Sequence, residues 1–116
     1  MTILIVEDHK AVRKLLRGQV AELAAEVFEC DNGADALAVY ALQKPDVVLM
    51  DIQMPGLDGF ETTRRIKNAF ADAKVIFVSD CDQNEFRVAA MEEGACGYVT
   101  KTDLGQLWEL IRKAAQ

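Results

Sequence analysis

The sequence is poor in the side chains from which thiolate metal sites, disulfide scaffolds and histidine-based catalysis are built. Its 116 residues include three cysteines, Cys30, Cys81 and Cys96, and one histidine, His9. The cysteine number is odd and no Cys-x-x-Cys pair occurs, so neither a disulfide framework nor a thiolate zinc site is indicated. Reduced thiols in a cytoplasmic setting are expected. Positive charge is also short, with 13 Lys and Arg against 19 Asp and Glu and a net charge of -6. Direct nucleic-acid binding by this segment is disfavoured, because phosphate contacts need clustered cations. No apolar run approaches the roughly 18 residues of a membrane helix, and Ile3 to Val6 is too short for a signal-peptide core. The chain has no low-complexity tract, repeat or long linker, and residues 1–116 suit one domain with a hydrophobic core.

What the sequence does have is short, continuous apolar runs that end at acids or turn residues. Ile3 to Val6, Val47 to Met50 and Val75 to Val78 are of this kind. Such runs suit parallel strands covered on both faces. Glu26 to Cys30 and Gly97 to Thr100 supply two weaker strands. Between them lie segments with helical periodicity. From His9 to Ala24, residues Val12, Leu15, Leu16, Val20 and Leu23 form a stripe, and Leu37, Tyr40 and Ala41 form one between Gly33 and Gln43, which stops before Pro45. Asp58 is placed to cap a helix carrying Phe60, Thr63, Ile66 and Phe70. A thinner stripe of Phe86, Ala89 and Ala90 runs between Asp82 and Glu93 and ends at Gly94. The last helix, from about Asp103, carries Leu104, Leu107, Trp108 and Ile111, with Leu110 on its flank. Alternating strands and helices predict an α/β, flavodoxin-like, doubly wound five-stranded parallel sheet with five helices. The fold class makes 2-1-3-4-5 the expected strand order.

In such sheets the functional crevice lies outside the carboxyl ends of the strands. Glu7 and Asp8 follow the first run, Asp51 the third strand, Ser79 the fourth and Lys101 the fifth. Three carboxylates brought together repel unless a cation compensates, and oxygen ligands with phosphate suit magnesium. A lysine and a hydroxyl can bind phosphoryl oxygens, and an aspartate can be a nucleophile that forms an acyl phosphate. The set points to phosphoryl transfer onto an aspartate.

The runs "ILIVEDH", "VVLMDIQMPGLDGFE", "VIFVSD" and "GYVTK", in this order, resemble the receiver domain of bacterial two-component response regulators along essentially the whole chain. The resemblance implies that Asp51 accepts a phosphoryl group from the phosphohistidine of a histidine kinase or a phosphotransfer protein. It implies Mg2+ held by Glu7, Asp8, Asp51 and the backbone carbonyl of Gln53, with Lys101 pairing the phosphate. Ser79 and Tyr98 would be the switch residues, acting on an output domain or partner through the fourth helix, fifth strand and fifth helix. Such a domain catalyses its own phosphorylation and dephosphorylation but is not a turnover enzyme. "EDHKAVRKLL" is closer to the branch linked to helix-turn-helix DNA-binding output domains. Homodimerisation, the cognate kinase and whether further domains are attached are left open.

Two departures from the family pattern stand out. Asp80 follows Ser79 where a small residue is usual, and its charge is expected to repel a phosphoryl group or compete for the metal. Thr102 follows Lys101 where many relatives have proline, which leaves open the backbone geometry there. Asp80 favours an alternative, a pseudo-receiver that binds partners without phosphorylation; the complete acid and lysine set opposes it. A metal-dependent phosphatase would want an acid at position 53, where Gln53 stands. Several residues have plainer readings: His9 as first-turn surface near the site, Trp108 as core, Glu92 and Glu93 as a solvated pair, and Leu110 as either a partner contact or a scattered surface residue.

Overall fold

A computed structural model describes residues 1–116. Its elements alternate as β1 (Thr2–Val6), α1 (Lys10–Val20), β2 (Glu26–Cys30), α2 (Gly33–Gln43), β3 (Val47–Met50), α3 (Gly59–Ala69), β4 (Val75–Ser79), α4 (Asn84–Glu92), β5 (Gly97–Thr100) and α5 (Leu107–Ala114). The five strands form one parallel sheet in the order β2-β1-β3-β4-β5. Both the fold class and the strand order expected from the sequence are found.

The three apolar runs are continuous because β1, β3 and β4 each bury both faces. Leu4, Val6, Val48, Met50, Val75 and Phe77 point into one core, which Ala36, Tyr40, Ile66 and Ala90 of α2, α3 and α4 close. Ile3, Ile5, Val47, Leu49, Ile76 and Val78 point into the other, which Leu16, Val20, Leu107 and Ile111 of α1 and α5 close. Each fully buried aliphatic side chain is worth about 1.5–3 kcal/mol relative to exposure, so the central strands are the rigid part of the molecule.

The ends of the helices differ from the periodicity in ways that local hydrogen bonds explain. α1 stops at Val20 rather than Ala24, because Leu23 and Ala24 both donate to the Val20 carbonyl and Ala25 turns to the Met1 carbonyl at 2.8 Å, which starts β2. α5 starts at Leu107 rather than near Asp103, where the Asp103 carboxylate accepts the Gly105 amide and its own amide donates to Thr100. A side chain that bonds its local backbone competes with the helix. Leu15 and Ala41, placed in buried stripes by spacing, are exposed; each sits about 100° around the helix from a buried neighbour, Leu16 and Tyr40. Trp108 is half-buried rather than core: its indole N–H donates to the Gln19 carbonyl, tying α5 to α1, as a partly buried indole requires. Glu93 is an ion-pair partner of Arg64 across α3 and α4 at 2.7 Å, not a solvated charge. Every peptide bond is trans, including that preceding Thr102.

Asp58 caps α3 as expected, accepting the Glu61 amide at 2.8 Å. The next residue, Gly59, lets the start of α3 press against the chain leaving β3, where its amide donates to the Ile52 carbonyl at 2.7 Å. A β-carbon at position 59 would stand 2.0 Å from the Asp51 carbonyl oxygen. Gly59→Ala is therefore expected to lower stability by about 1–3 kcal/mol, the usual scale of overpacking. Urea denaturation checks this, and an unchanged midpoint would contradict it.

Candidate functional site

Sheet hydrogen bonding runs just past the strands and fixes the residues that leave them. Glu7 N–H donates to the Cys30 carbonyl at 3.0 Å, Asp51 N–H to Val6 at 2.9 Å, and Lys101 N–H to Ser79 at 2.8 Å. Glu7, Asp51 and Lys101 are thereby delivered to one sheet edge. Lys101 Nζ lies 2.8 Å from Glu7 Oε1 and 3.2 Å from Asp51 Oδ1, and its side chain is only 8% exposed. Glu7 and Asp51 are buried.

A cation is thus enclosed with more negative charge than it balances. Glu7, Asp8, His9 and Asp51 each present a ligand atom, all within 4.8 Å of one another. Asp51 Oδ1 accepts the Ile52 amide at 2.9 Å, whereas Asp51 Oδ2 is buried with no hydrogen-bond partner. Glu7 Oε1 and Asp8 Oδ1 also lack hydrogen bonds; Lys101 Nζ lies 2.8 Å from the first and His9 Nδ1 3.3 Å from the second. Burial, with the Glu7 charge adding to it, pushes the Asp51 carboxyl up to about 7 despite Lys101. Burial also opposes ionisation of Asp8, yet its side-chain proximity to Asp51 and Glu7 and the field of His9 bring it below the ordinary carboxyl value. Burial disfavours the Lys101 ammonium too, and the Glu7 and Asp51 carboxylates outweigh it, holding its pKa above the usual lysine value. A hard divalent cation fits the three carboxylates of this set, because their donors are oxygens and Asp51 Oδ2 has no other partner.

The other expected site residues are near but differently engaged. Ser79 Oγ accepts the Cys81 amide at 3.0 Å, and the Tyr98 hydroxyl donates to the Cys81 carbonyl at 2.6 Å. Gln53 is exposed on the turn two residues past Asp51. Asp80, 72% exposed, has Oδ2 3.8 Å from Lys101 Nζ, so its charge bears on the lysine. His9 is more involved than its surface position implied: its amide donates to Glu7 Oε2 at 3.1 Å and Nδ1 lies 3.3 Å from Asp8 Oδ1. Two arginines escaped the sequence reading. Arg13 donates to the Glu7 carbonyl at 2.9 Å, and Arg87 lies over the Tyr98 ring. Nothing in their spacing marks either, since both contacts depend on the packing of a helix against a strand end. The thiol of Cys30 is buried, and desolvation, with Asp35 and Asp31 nearby, pushes it up to about 11, so it is not a nucleophile here.

Comparison with known families decides what this edge belongs to. Residues 3–112 match the family model of the response regulator receiver domain. The chain belongs to that family. It is 38% identical over 114 residues to "Response regulator GacA" of Pseudomonas aeruginosa, an alignment that covers 96% of this chain and 53% of GacA. The chain therefore spans about half the length of the curated GacA relatives it matches. It superposes on a LuxR-family two-component response regulator from Aurantimonas sp. SI85-9A1 with a TM-score of 0.91 and 31% identity, covering 98% of this chain and 84% of that one. The receiver domain of the histidine kinase CKI1 from Arabidopsis thaliana, solved in complex with Mg2+, has a TM-score of 0.83 and 29% identity, with coverage of 97% and 90%. As a receiver, the chain is a signalling domain rather than an enzyme that turns over an external substrate. No helix is long and apolar enough to cross a membrane.

The raised Asp51 pKa has a stability consequence. Its folded value, about 7, exceeds the ordinary 3.8, so the folded state holds a proton that the unfolded state releases, and stability falls as pH rises from about 4 to 7. Without divalent cations, Asp51→Asn is expected to be more stable than the natural receiver at pH 8 by a few kcal/mol. The gain should vanish near pH 4. Chemical denaturation at the two pH values tests this, and a gain independent of pH would contradict it.

Proposed function

We propose that this receiver is a phosphorylation-dependent switch in which Asp51 takes a phosphoryl group from the phosphohistidine of a histidine kinase or phosphotransfer protein. The observation that carries the reading is the buried Asp51 Oδ2, unpartnered beside a nearly buried lysine. In the transfer, an Asp51 carboxylate oxygen forms the new bond to phosphorus as the phosphorus–nitrogen bond breaks. The electron pair stays on the imidazole nitrogen. Lys101 then meets a phosphoryl oxygen as well as the carboxylates, and Ser79 can donate its hydroxyl proton to another. Glu7, Asp8 and Asp51, with the Gln53 carbonyl, would hold Mg2+, which supplies the charge that keeps Asp51 ionised and neutralises phosphoryl oxygens. Positioning and charge neutralisation carry in-line transfer, and the site supplies both without a general base.

The signal leaves through Ser79 and Tyr98. Both bond to Cys81, on the loop from β4 to α4, so movement of Ser79 toward a phosphoryl group is passed to Tyr98 and to the face made by α4, β5 and α5. That face would engage an output domain, a partner protein or a second copy of the receiver. Val88 and Met91 are exposed there. Leu110 contributes packing instead, because its methyl carbons would lie 3.0 Å from a β-carbon at Gly97. The resemblance of "EDHKAVRKLL" to receivers linked to DNA-binding output domains, with a match that spans about half the length of GacA, supports a role in transcriptional control through an attached output domain.

A second reading has one observation behind it. Asp80 places a third carboxylate within 4 Å of Lys101, which favours a pseudo-receiver regulated by partner contact alone. Intact-mass spectrometry after incubation with acetyl phosphate separates the two. A phosphoryl adduct that requires Mg2+ and disappears in Asp51→Asn is expected; no adduct on the folded natural protein would favour the pseudo-receiver. Asp80→Ala is expected to accept phosphate faster, by up to roughly fivefold for a screened charge at this distance. Equal rates would remove Asp80 from the account.

A further inference from the structure

The switch residues belong to a closed circuit of contacts. Segment 79–82 holds Tyr98 at its hydroxyl, through the Cys81 carbonyl at 2.6 Å. The same segment anchors Arg87, because Asp82 Oδ1 accepts Nη2 at 2.6 Å and Nε at 3.2 Å. The Arg87 guanidinium carbon lies 4.8 Å from the centre of the Tyr98 ring, within cation–π range. The ring is therefore gripped at its hydroxyl by the loop and on its face by Arg87 of α4, which the loop anchors, and Tyr98 is 8% exposed.

We propose that Arg87, anchored by Asp82, is a clamp that favours the inward position of Tyr98 and so biases the receiver toward the state that phosphorylation also favours. This rests on the reading of Asp51 as phosphoacceptor. A tyrosine at the end of a sheet can pack inward or turn out to solvent. The guanidinium lies on its face only in the inward position, while the ion pair to Asp82 keeps the cation from following the ring outward. Two influences that favour one state reinforce each other reciprocally. At this exposure a cation–π contact corresponds to about 2- to 5-fold in an equilibrium constant. Arg87 is thus a positioning residue for the switch. It touches none of the reacting atoms, and an ordinary helix-end ion pair would affect stability alone.

The chain has two tyrosines, Tyr40 and Tyr98, so incorporated 3-fluorotyrosine gives two fluorine resonances, which Tyr98→Phe assigns. In the ligand-free protein, Arg87→Ala is expected to move the Tyr98 resonance toward that of solvent-exposed tyrosine and to leave Tyr40 in place. Asp82→Asn should move it in the same direction by less, and Arg87→Lys should keep it nearer its natural position. Both side chains are substantially exposed, at 40% for Arg87 and 77% for Asp82, so folding is preserved. Titration with beryllofluoride in Mg2+ should show about 2- to 5-fold weaker binding to Arg87→Ala. An unmoved Tyr98 resonance overturns the clamp. A moved resonance with unchanged beryllofluoride affinity overturns its coupling to the switch. Failure of the natural protein to bind beryllofluoride would overturn the reading of Asp51 instead, and the ligand-free spectra would still decide the clamp.

Discussion

The structure depends on a charge imbalance enclosed by apolar strands. Glu7 and Asp51 are buried with Asp8 beside them, and Lys101 is the one ammonium that reaches them. Water cannot screen the repulsion, and one lysine cannot cancel it. The raised pKa of Asp51 and the unpartnered Oδ2 are two expressions of the same deficit. Added positive charge, or a proton, relieves it. A site with this property responds strongly to a cation and to a group that brings its own charge, which is what a phosphorylation switch requires.

The fold makes the imbalance tolerable. Three central strands, β1, β3 and β4, are buried on both faces, and hydrogen bonds that continue the sheet hold the backbone of Glu7, Asp51 and Lys101, so repulsion cannot be released by moving apart. Gly59 allows α3 to start against the Asp51 carbonyl. The exit from the site is softer. Ser79, Cys81, Asp82, Arg87 and Tyr98 are joined to one another by individual hydrogen bonds, an ion pair and a ring contact, although Tyr98 also packs at the margin of the core. In the proposed switch, the rigid site at the ends of β1, β3 and β5 would meet an adjustable output at the β4 to α4 loop.

Much of this was legible because the strands are fully buried: Val47 to Met50 could be nothing else, and the acid after it had to emerge at the sheet edge. Asp51 and Glu7 were readable for the same reason; Lys101, after the weaker run Gly97 to Thr100, was readable only in company with those acids. Helix faces were less so. Leu15 sits one position from Leu16 yet faces solvent, and Trp108 uses its indole N–H to bind α1 instead of entering the core. Arg13 and Arg87 were invisible, since a long cationic side chain finds its partner only after helix and strand have docked. Asp80 was flagged by sequence as a neighbour of the phosphoryl group, and the geometry adds that Lys101 is the residue it bears on.

The most direct test of the enclosed charge deficit is an amide NMR titration with Mg2+ at neutral pH. Saturable shifts are expected at Glu7, Asp8 and His9 and at Asp51, Ile52 and Gln53, lost in Asp51→Asn. A second group of acids, Glu29, Asp31 and Asp35, lines a groove of about 580 Å³ at the end of β2 and serves as the internal control. Shifts confined to that groove, or spread evenly over the acidic surface, would contradict the claim that the buried carboxylates are where the cation is needed.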